Sequence, residues 1–416
     1  VTRAKAESVN FMAPFTVLRR PDLGKRLARR LVRELSRDFS LEQLDFPLLE
    51  RDISDSLAMP SAIKSITKAT DVLDLAWICT PPSPGSGGHT TLFRMVHGME
   101  KRGHRCTILL YNRHGSDPQK YISLIRQYWP ELSANIAVVP DQIIGYHACV
   151  ASSWETAHVL AARGAAISRR LYFVQDYEPY FYPRGSMYAL AEDTYRFGFQ
   201  HIALGNMTTA LLRREAGVTP VTVPFGCDVD TYKLENHGHR NGIAFFARPE
   251  TDRRGYLTAR LALKEFNFRH PEQLITVYGD RVSDLDFPHH HAGHLSPLEL
   301  NRLYNRCLAG LAMSYTNISL VAEEMLASGA RVVVNASSLA SVDATNSHII
   351  WGPPTPTGIA SALSTAVCSP LSNTERTNMA RSVRKGWQHT QDLVATAIEA
   401  TCREGQTEVE SMKGSP

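Results

Sequence analysis

From Asp71 onward the chain alternates short β-rich apolar runs with segments of helical period, and it does so in two successive series. The first series reads "VLDLAWIC", "RCTILLY", "NIAVVP", "ACVAS", "RLYFVQ", "HIAL" and "VTVP", with helical stretches such as "TTLFRMVHGMEKRG" between them. The second reads "GIAFFA", "LITVYG", "LAGLAM", "ARVVV" and "SHIIW". These runs do not alternate polar with apolar residues, so both faces of each strand must be buried. That calls for parallel sheets covered by helices on both sides. A chain of 416 residues is long enough for two such cores. The predicted fold class is therefore α/β, with two facing, doubly wound, Rossmann-like domains at 71–220 and 221–384. A polar segment, "KLENHGHRNG", marks the hinge between them. The last long helix, beginning near Asn373, is expected to return and complete the first domain with residues of about 385–410. Residues 1–70 read as a helical, basic extension with a break at Pro47. Ligands of such sheets sit beyond the carboxyl ends of the strands, so the cleft between the domains is the expected site.

Charge and cysteine content narrow the setting. Residues 1–38 carry ten Lys or Arg against four acids, within a net charge of +4. In "GKRLARRLVRELSRDF" Leu27, Leu31, Leu35 and Phe39 recur every four residues among arginines. Such a helix either docks its leucine stripe on the protein or lies, through residues 20–40, on an anionic membrane surface. No aromatic or RNA-binding motif accompanies the charge, which argues against nucleic acid. The seven cysteines stand singly, without a CxxC pair, as buried thiols of a reducing compartment would. No apolar run reaches the length of a membrane span, and no apolar region follows the basic start. The expected location is cytoplasmic, with peripheral attachment to the inner face of the plasma membrane as an option.

Four stretches carry chemistry. In "PPSPGSGGHTT" Gly85 and Gly87 fit a dinucleotide loop, but Thr90 takes the third glycine's place and the next strand ends in "LLYNR" without a ribose-holding acid. A Walker sequence is absent too. What remains at Gly88 and His89 is a turn opening a helix, suited to a phosphate or to sugar hydroxyls, or simply a tight connection. In "FFARPETDRRGY" Arg248, Arg253 and Arg254 follow a strand; converging guanidiniums suit a diphosphate and neutralise a leaving group without metal. In "SYTNISLVAEEMLASG" Thr316, Asn317 and Ser319 offer capping side chains, with Glu323 and Glu324 one turn in. In "QDYEPYFYP" Asp176 and Glu178 stand among Tyr177, Tyr180, Phe181 and Tyr182, an alternation that suits sugar hydroxyls and apolar sugar faces, or a loop folded over core aromatics. The triplets "DVD" (Asp228 to Asp230) and "DLD" (Asp284 to Asp286) imitate metal-binding DxD sequences, and "PHHHAGH" imitates a zinc site. Consecutive histidines diverge, however, so no metal site is expected.

Taken together, "HLSPLELNRLYNRCLAGLAMSYTNISLVAEEMLASGARVVV", "GGHTTLFRMVHGMEKRGH" and "VPFGCDVDTY" resemble, in order, the motifs of glycosyltransferases with the GT-B architecture, of the retaining group 4 type. The resemblance runs from about Asp71 to Trp387. Within the group, "YFVQDYEPYFYP", "ARPETDRRGY" and "SYTNISLVAEEM" look most like rhamnosyltransferases that use dTDP-rhamnose in bacterial surface polysaccharide synthesis. The resemblance implies that Glu324, the second acid of an E-x7-E pair, holds the nucleotide ribose. The first acid's position is Thr316, a departure. Arg248 matches the phosphate-binding arginine, and Arg253 or Arg254 the second basic position. Gly88, His89, Gly226, Tyr278, Gly279, Asn317, Ser319 and Leu320 complete the implied donor site. Asp176, Tyr177 and Glu178 would meet the acceptor, with Asp176 the candidate proton acceptor. The implied reaction moves a sugar from a nucleoside-diphosphate donor to a saccharide or lipid-linked glycan, with no cofactor or metal. Two rivals are a nucleotide-sugar 2-epimerase or hydrolase on the same architecture, and a catalytically silent membrane-associated scaffold.

Overall fold

The computed structural model describes residues 46–59, 71–115, 117–317, 320–337, 339–343, 346–383 and 386–413. The basic helix expected at residues 20–40 lies outside them, as does Ser319. Both predicted domains are present as separate parallel sheets. The first has seven strands: β1 (Asp74–Cys79), β2 (Arg105–Leu110), β3 (Asn135–Val138), β4 (Ala148–Ala151), β5 (Arg170–Val174), β6 (Gln200–Leu204) and β7 (Val221–Val223). Their order across the sheet is β3-β2-β1-β4-β5-β6-β7. The second has six: β8 (Ile243–Ala247), β9 (Ile275–Gly279), β10 (His290–Gly293), β11 (Ala309–Leu311), β12 (Arg331–Asn335) and β13 (Ile349–Gly352), in the order β10-β9-β8-β11-β12-β13. Every neighbouring pair is parallel, so each sheet points all its carboxyl ends, and the loops that follow them, to one edge.

Local sequence explains several helix starts. "SPLE" and "SNTE" form capping boxes in which Ser296 with Glu299, and Ser372 with Glu375, satisfy each other's free amides at the start of helices Pro297–Arg306 and Asn373–Arg381. Strand β10 is a departure from expectation. The histidine run read as a possible metal mimic is the edge strand of the second sheet, and only partly buried. A polar edge strand has no apolar period by which to announce itself, and charged or polar edges also discourage pairing with other chains.

Residues 46–59 are not the helix expected of them. They contain two short 3-10 turns, Glu50–Asp52 and Ser56–Ala58. The segment is tied to the first domain by buried polar contacts. Both oxygens of Asp52 accept from the Arg163 guanidinium at 2.7 Å, and Tyr111 Oη donates to Asp52 at 2.9 Å. Ser54 N–H donates to His158 Nδ1 at 3.0 Å.

At the other end, the chain past Asn373 forms two helices rather than one, Asn373–Arg381 and Gln388–Lys413. The second returns to the first sheet. Trp387, Val394, Ala395, Ile398 and Cys402 belong to the same apolar core as Trp77, Phe93, Met99 and Ile108. Gln391 Nε2 donates to the Arg94 carbonyl at 2.7 Å, and a side chain on Gly98 would collide with Gln391 at 2.9 Å. The second domain has its own core around Phe245, Leu263, Phe266, Val277, Val333 and Leu363. Because Ile398 is fully buried in the first core, Ile398→Ala should destabilise that domain by about 2–5 kcal/mol. Urea denaturation would read this as a lower midpoint.

Candidate functional site

The residues following β8 build a cationic corner. Arg248 leaves the strand end, half-exposed, 5.5 Å over the Phe246 ring and 3.9 Å from Asp280. A short turn, Asp252–Arg254, leads to Gly255, whose φ of 64° is left-handed and whose Cβ position would lie 2.8 Å from the Tyr315 ring. Only glycine meets both demands, and it lets the helix Tyr256–Arg269 start there. Arg254 turns inward, its Nη1 donating to Ser314 Oγ at 3.1 Å and to Asn317 Oδ1 at 3.2 Å. Burial, then the Arg253 charge and, more weakly, that of Arg248, depress its pKa to about 10, with Asp176 opposing. The depression comes first from desolvation and then from like charge that Asp176 opposes. Arg253 reaches across to the first domain and lies 4.2 Å over the Phe181 ring, with its Nη1 buried and unpartnered. Asn335 at the end of β12 pins the facing loop, donating to the Ser314 carbonyl at 2.7 Å and accepting from its amide at 2.8 Å.

Asp176, just past the end of β5, meets this corner. Its Oδ2 accepts from Thr316 Oγ1 at 2.8 Å, a bond between the two domains made by two nearly buried side chains. Its Oδ1 is buried with no partner in hydrogen-bonding geometry. Burial raises the carboxyl's pKa, against the pull of Arg253, Arg254, the Thr316 hydroxyl and the Tyr177 amide. Thr316, the departure from the acidic pattern, thus has a carboxylate on its hydroxyl after all, supplied by the other domain.

The neighbouring acid and ring point elsewhere. Glu178 Oε2 accepts the Trp154 amide at 2.6 Å, at the N-terminus of helix Trp154–Arg163. Burial and the adjacent Glu155 push its pKa well up. Tyr177 is fully buried and donates to Glu192 at 3.0 Å. Both therefore sit inside the first domain, behind Asp176 in the loop.

In the glycine loop, Ser86 caps helix Gly87–Lys101 and is 2.8 Å from His89 Nδ1, while His89 Nε2 lies 2.9 Å from the Thr80 carbonyl. Only an Nε2–H tautomer satisfies both bonds, and burial depresses the pKa, so the ring is neutral and staples its own loop. Gly88 is exposed at the helix start, its carbonyl accepting from Gln175 Nε2 at 3.1 Å. Gly226 is a packing position, with a Cβ there 2.4 Å from the Gly386 carbonyl. Tyr278 is buried, stacked on Phe246 at 5.1 Å and bonded to Tyr304 Oη at 2.7 Å, next to Gly279 with φ of 99°. Leu320 opens helix Leu320–Ala327 and packs on the first domain's core.

Glu324 lies on that helix beside Arg94 of the first domain and Asp228 of the linker. Burial raises its pKa to about 7, Arg94 opposes and Asp228 adds to the rise. Arg94 itself pairs with Asp228 at 3.4 Å and lies 5.0 Å over Trp387. Arg94, Ser314 and Asn335 are site residues that sequence reading passed over. Arg94 had one signal, a charge wedged between buried Phe93 and Met95.

The two acidic triplets have protein partners. Asp228 takes Arg94 and Thr231, Asp284 takes Tyr256 and Arg260, and Asp286 takes Lys264. Among the described residues, no group of three or more His, Cys, Asp or Glu is gathered as a metal would need. Nor is any helix among them long and apolar enough to cross a membrane.

Comparison with known proteins fits this geometry. Residues 241–364 match a family described as the C-terminal domain of WsaF, and residues 147–208 match the WsaF N-terminal domain. The O-antigen biosynthesis protein RfbC of Myxococcus xanthus is 27% identical over 386 residues, which is 86% of this chain and 29% of that protein. The chain thus spans less than a third of that relative's length. Among solved structures, WaaG, a glycosyltransferase involved in lipopolysaccharide biosynthesis, superposes with a TM-score of 0.53 at 15% identity over 79% of this chain and 98% of that one. A Listeria monocytogenes protein described as a UDP-N-acetylglucosamine 2-epimerase, an activity inferred for it rather than shown, reaches 0.51 at 9% identity, over 81% and 97%. At such identities the likeness speaks for the fold alone, and that fold is GT-B, two parallel-sheet α/β domains.

Proposed function

We propose that the chain is a glycosyltransferase of cell-envelope polysaccharide synthesis, moving a sugar from a nucleoside diphosphate to a saccharide or lipid-linked glycan. The observation that carries this reading is the cationic corner. Arg253 and Arg254 have no ion-pair partner among the described residues, Arg254 is desolvated, and Arg248 stands at the mouth. A diphosphate supplies the missing charge and matches the geometry of guanidinium forks. The O-antigen biosynthesis role of the RfbC relative and the match to the WsaF domains support the same reading. A 2-epimerase shares the fold, so fold alone does not choose. What favours transfer is the composite cleft, with Asp176 on one wall and the arginines on the other.

In this reading Glu324 accepts from the 3′-hydroxyl of the nucleotide's deoxyribose, and the three arginines hold the diphosphate and stabilise it as it departs. The bond from the anomeric carbon to the phosphate oxygen breaks as the bond to the acceptor oxygen forms on the same face. The acceptor's hydroxyl proton passes to the departing phosphate oxygen, so configuration is retained and no metal is called for. We take the donor to be dTDP-rhamnose. A basic N-terminal segment beside the membrane suits a lipid-linked acceptor.

A thermal-shift panel in EDTA with dTDP, dTDP-rhamnose, UDP-glucose, UDP-galactose and GDP-mannose tests the reading directly. Stabilisation confined to dTDP ligands is expected. A shift with UDP or GDP ligands instead removes rhamnose, and no shift with any of them removes the enzyme. Arg248→Ala should weaken dTDP binding by roughly 10- to 150-fold, the worth of one charge-assisted contact of about 1.5–3 kcal/mol, without lowering the melting temperature.

Glu324 predicts the pH dependence. Its folded pKa of about 7 lies above the ordinary 4.5, so the folded protein holds that proton through the interval between them. Its contribution to stability therefore falls as pH rises through that window, and Glu324→Gln should flatten the fall. Binding runs the other way: dTDP-rhamnose, whose diphosphate does not titrate in this range, should bind more tightly as pH rises through about 7, and the same variant should abolish that slope in calorimetric titrations.

A further inference from the structure

We infer that Asp176, carried by the first domain, is a specificity-determining ligand of the sugar whose diphosphate the second domain holds, taking one of its hydroxyls on Oδ1. The inference rests on the donor-site reading above and adds to it which wall of the cleft reads the sugar. Asp176 lies at the carboxyl end of β5, nineteen-twentieths buried. Its Oδ2 is committed to Thr316 Oγ1 at 2.8 Å, which fixes the carboxylate's plane against the second domain. Oδ1 is the remaining acceptor, buried and unpartnered. On the opposite wall Arg253, whose charge acts on Asp176, has in Nη1 a buried donor in the same condition. The two do not pair with each other. A buried acceptor on one wall of the cleft and a buried donor on the other are both satisfied by a ligand that carries a hydroxyl and a phosphate oxygen, which is the composition of a sugar phosphate.

The alternatives within the loop are weaker. Glu178 spends its carboxylate on the Trp154 amide, and Tyr177 spends its hydroxyl on Glu192. His89 has both ring nitrogens occupied within its own loop. Asp176 is thus the acid of the first-domain wall with an oxygen to give. Thr316 acts as the positioning residue, holding from the second domain the group that reads the sugar. The sugar-reading group and the phosphate-holding groups therefore belong to different domains. Recognition of the sugar is complete only when the domains are together.

The distinguishing measurement is the ratio of dTDP to dTDP-rhamnose dissociation constants, taken by calorimetry on the full chain. The bare nucleotide reports the phosphate and deoxyribose contacts; it carries one more charge on its terminal phosphate than the nucleotide sugar, and because that difference is common to every variant, the change in the ratio on substitution isolates the sugar. The wild-type ratio should favour dTDP-rhamnose at least tenfold more than the ratio of Asp176→Ala does. Asp176→Asn keeps an oxygen for Thr316 and should leave dTDP binding within threefold while losing most of the sugar-dependent gain. Asp176→Ala should lose it too, and Asp176→Ala with Thr316→Glu, which returns a carboxylate from across the contact, should recover part of it. Unchanged dTDP affinity certifies that each variant is folded. A variant that loses dTDP binding as well contradicts a role confined to the sugar. An Asp176→Asn ratio equal to that of the wild type overturns the inference and leaves the donor site standing. If neither ligand, nor the UDP and GDP ligands of the panel, binds the wild type, the donor-site reading falls and takes this inference with it.

Discussion

Everything at the cleft depends on one electrostatic imbalance. Three guanidiniums follow a single strand end, and the most buried of them, Arg254, is held by neutral oxygens of Ser314 and Asn317 rather than by a carboxylate. Like charges in a low-dielectric setting repel strongly, and a protein tolerates them only where surrounding structure over-determines the geometry. Asn335 locks the loop that faces Arg254, Gly255 sets the turn behind it, and Phe181 of the other domain covers Arg253. Each of these contacts costs the fold some freedom. Together they produce a stationary positive field at the place where all the loops of a parallel sheet converge.

The same field explains why acids of similar sequence context behave differently. Asp176 lies within reach of Arg253 and Arg254, so its burial is partly offset, whereas Glu178 two residues on has Glu155 for a neighbour and is pushed further up. Glu324 answers to a different pair, Arg94 on one side and Asp228 on the other. Burial raises all three carboxyls, and the charges each one meets decide how far that rise is opposed.

The sheets were legible because burial on both faces leaves an unmistakable record of contiguous apolar residues. The inner strands carry it fully, the edge strands β3 and β7 keep short apolar runs though they are partly exposed, and β10 does not, because an edge strand of histidines obeys no apolar rule. The convergence of Arg248, Arg253 and Arg254 could also be read from the chain, since a strand end and a short turn confine them. What could not be read is which way each polar side chain turns. His89 looked like a ligand and is a staple, and Tyr177 is a core residue. Asp176 pairs with a residue 140 positions away. Arg94 and Asn335 escaped notice for a related reason: they act through partners on other elements, and sequence distance hides such partners.

The return of the helix Gln388–Lys413 has a consequence for the order of events in synthesis. The apolar core around Trp77 and Phe93 is closed by Trp387, Val394 and Ile398, which emerge only after the whole second domain has been made. At about 5–20 residues per second, the stretch between β7 and Trp387 takes on the order of ten to thirty seconds to appear. During that interval the first sheet exposes apolar surface on its final helix's seat, while the second domain already has all its strands. The N-terminal half of this chain is therefore the last to finish folding, and the one with most need of protection while it waits.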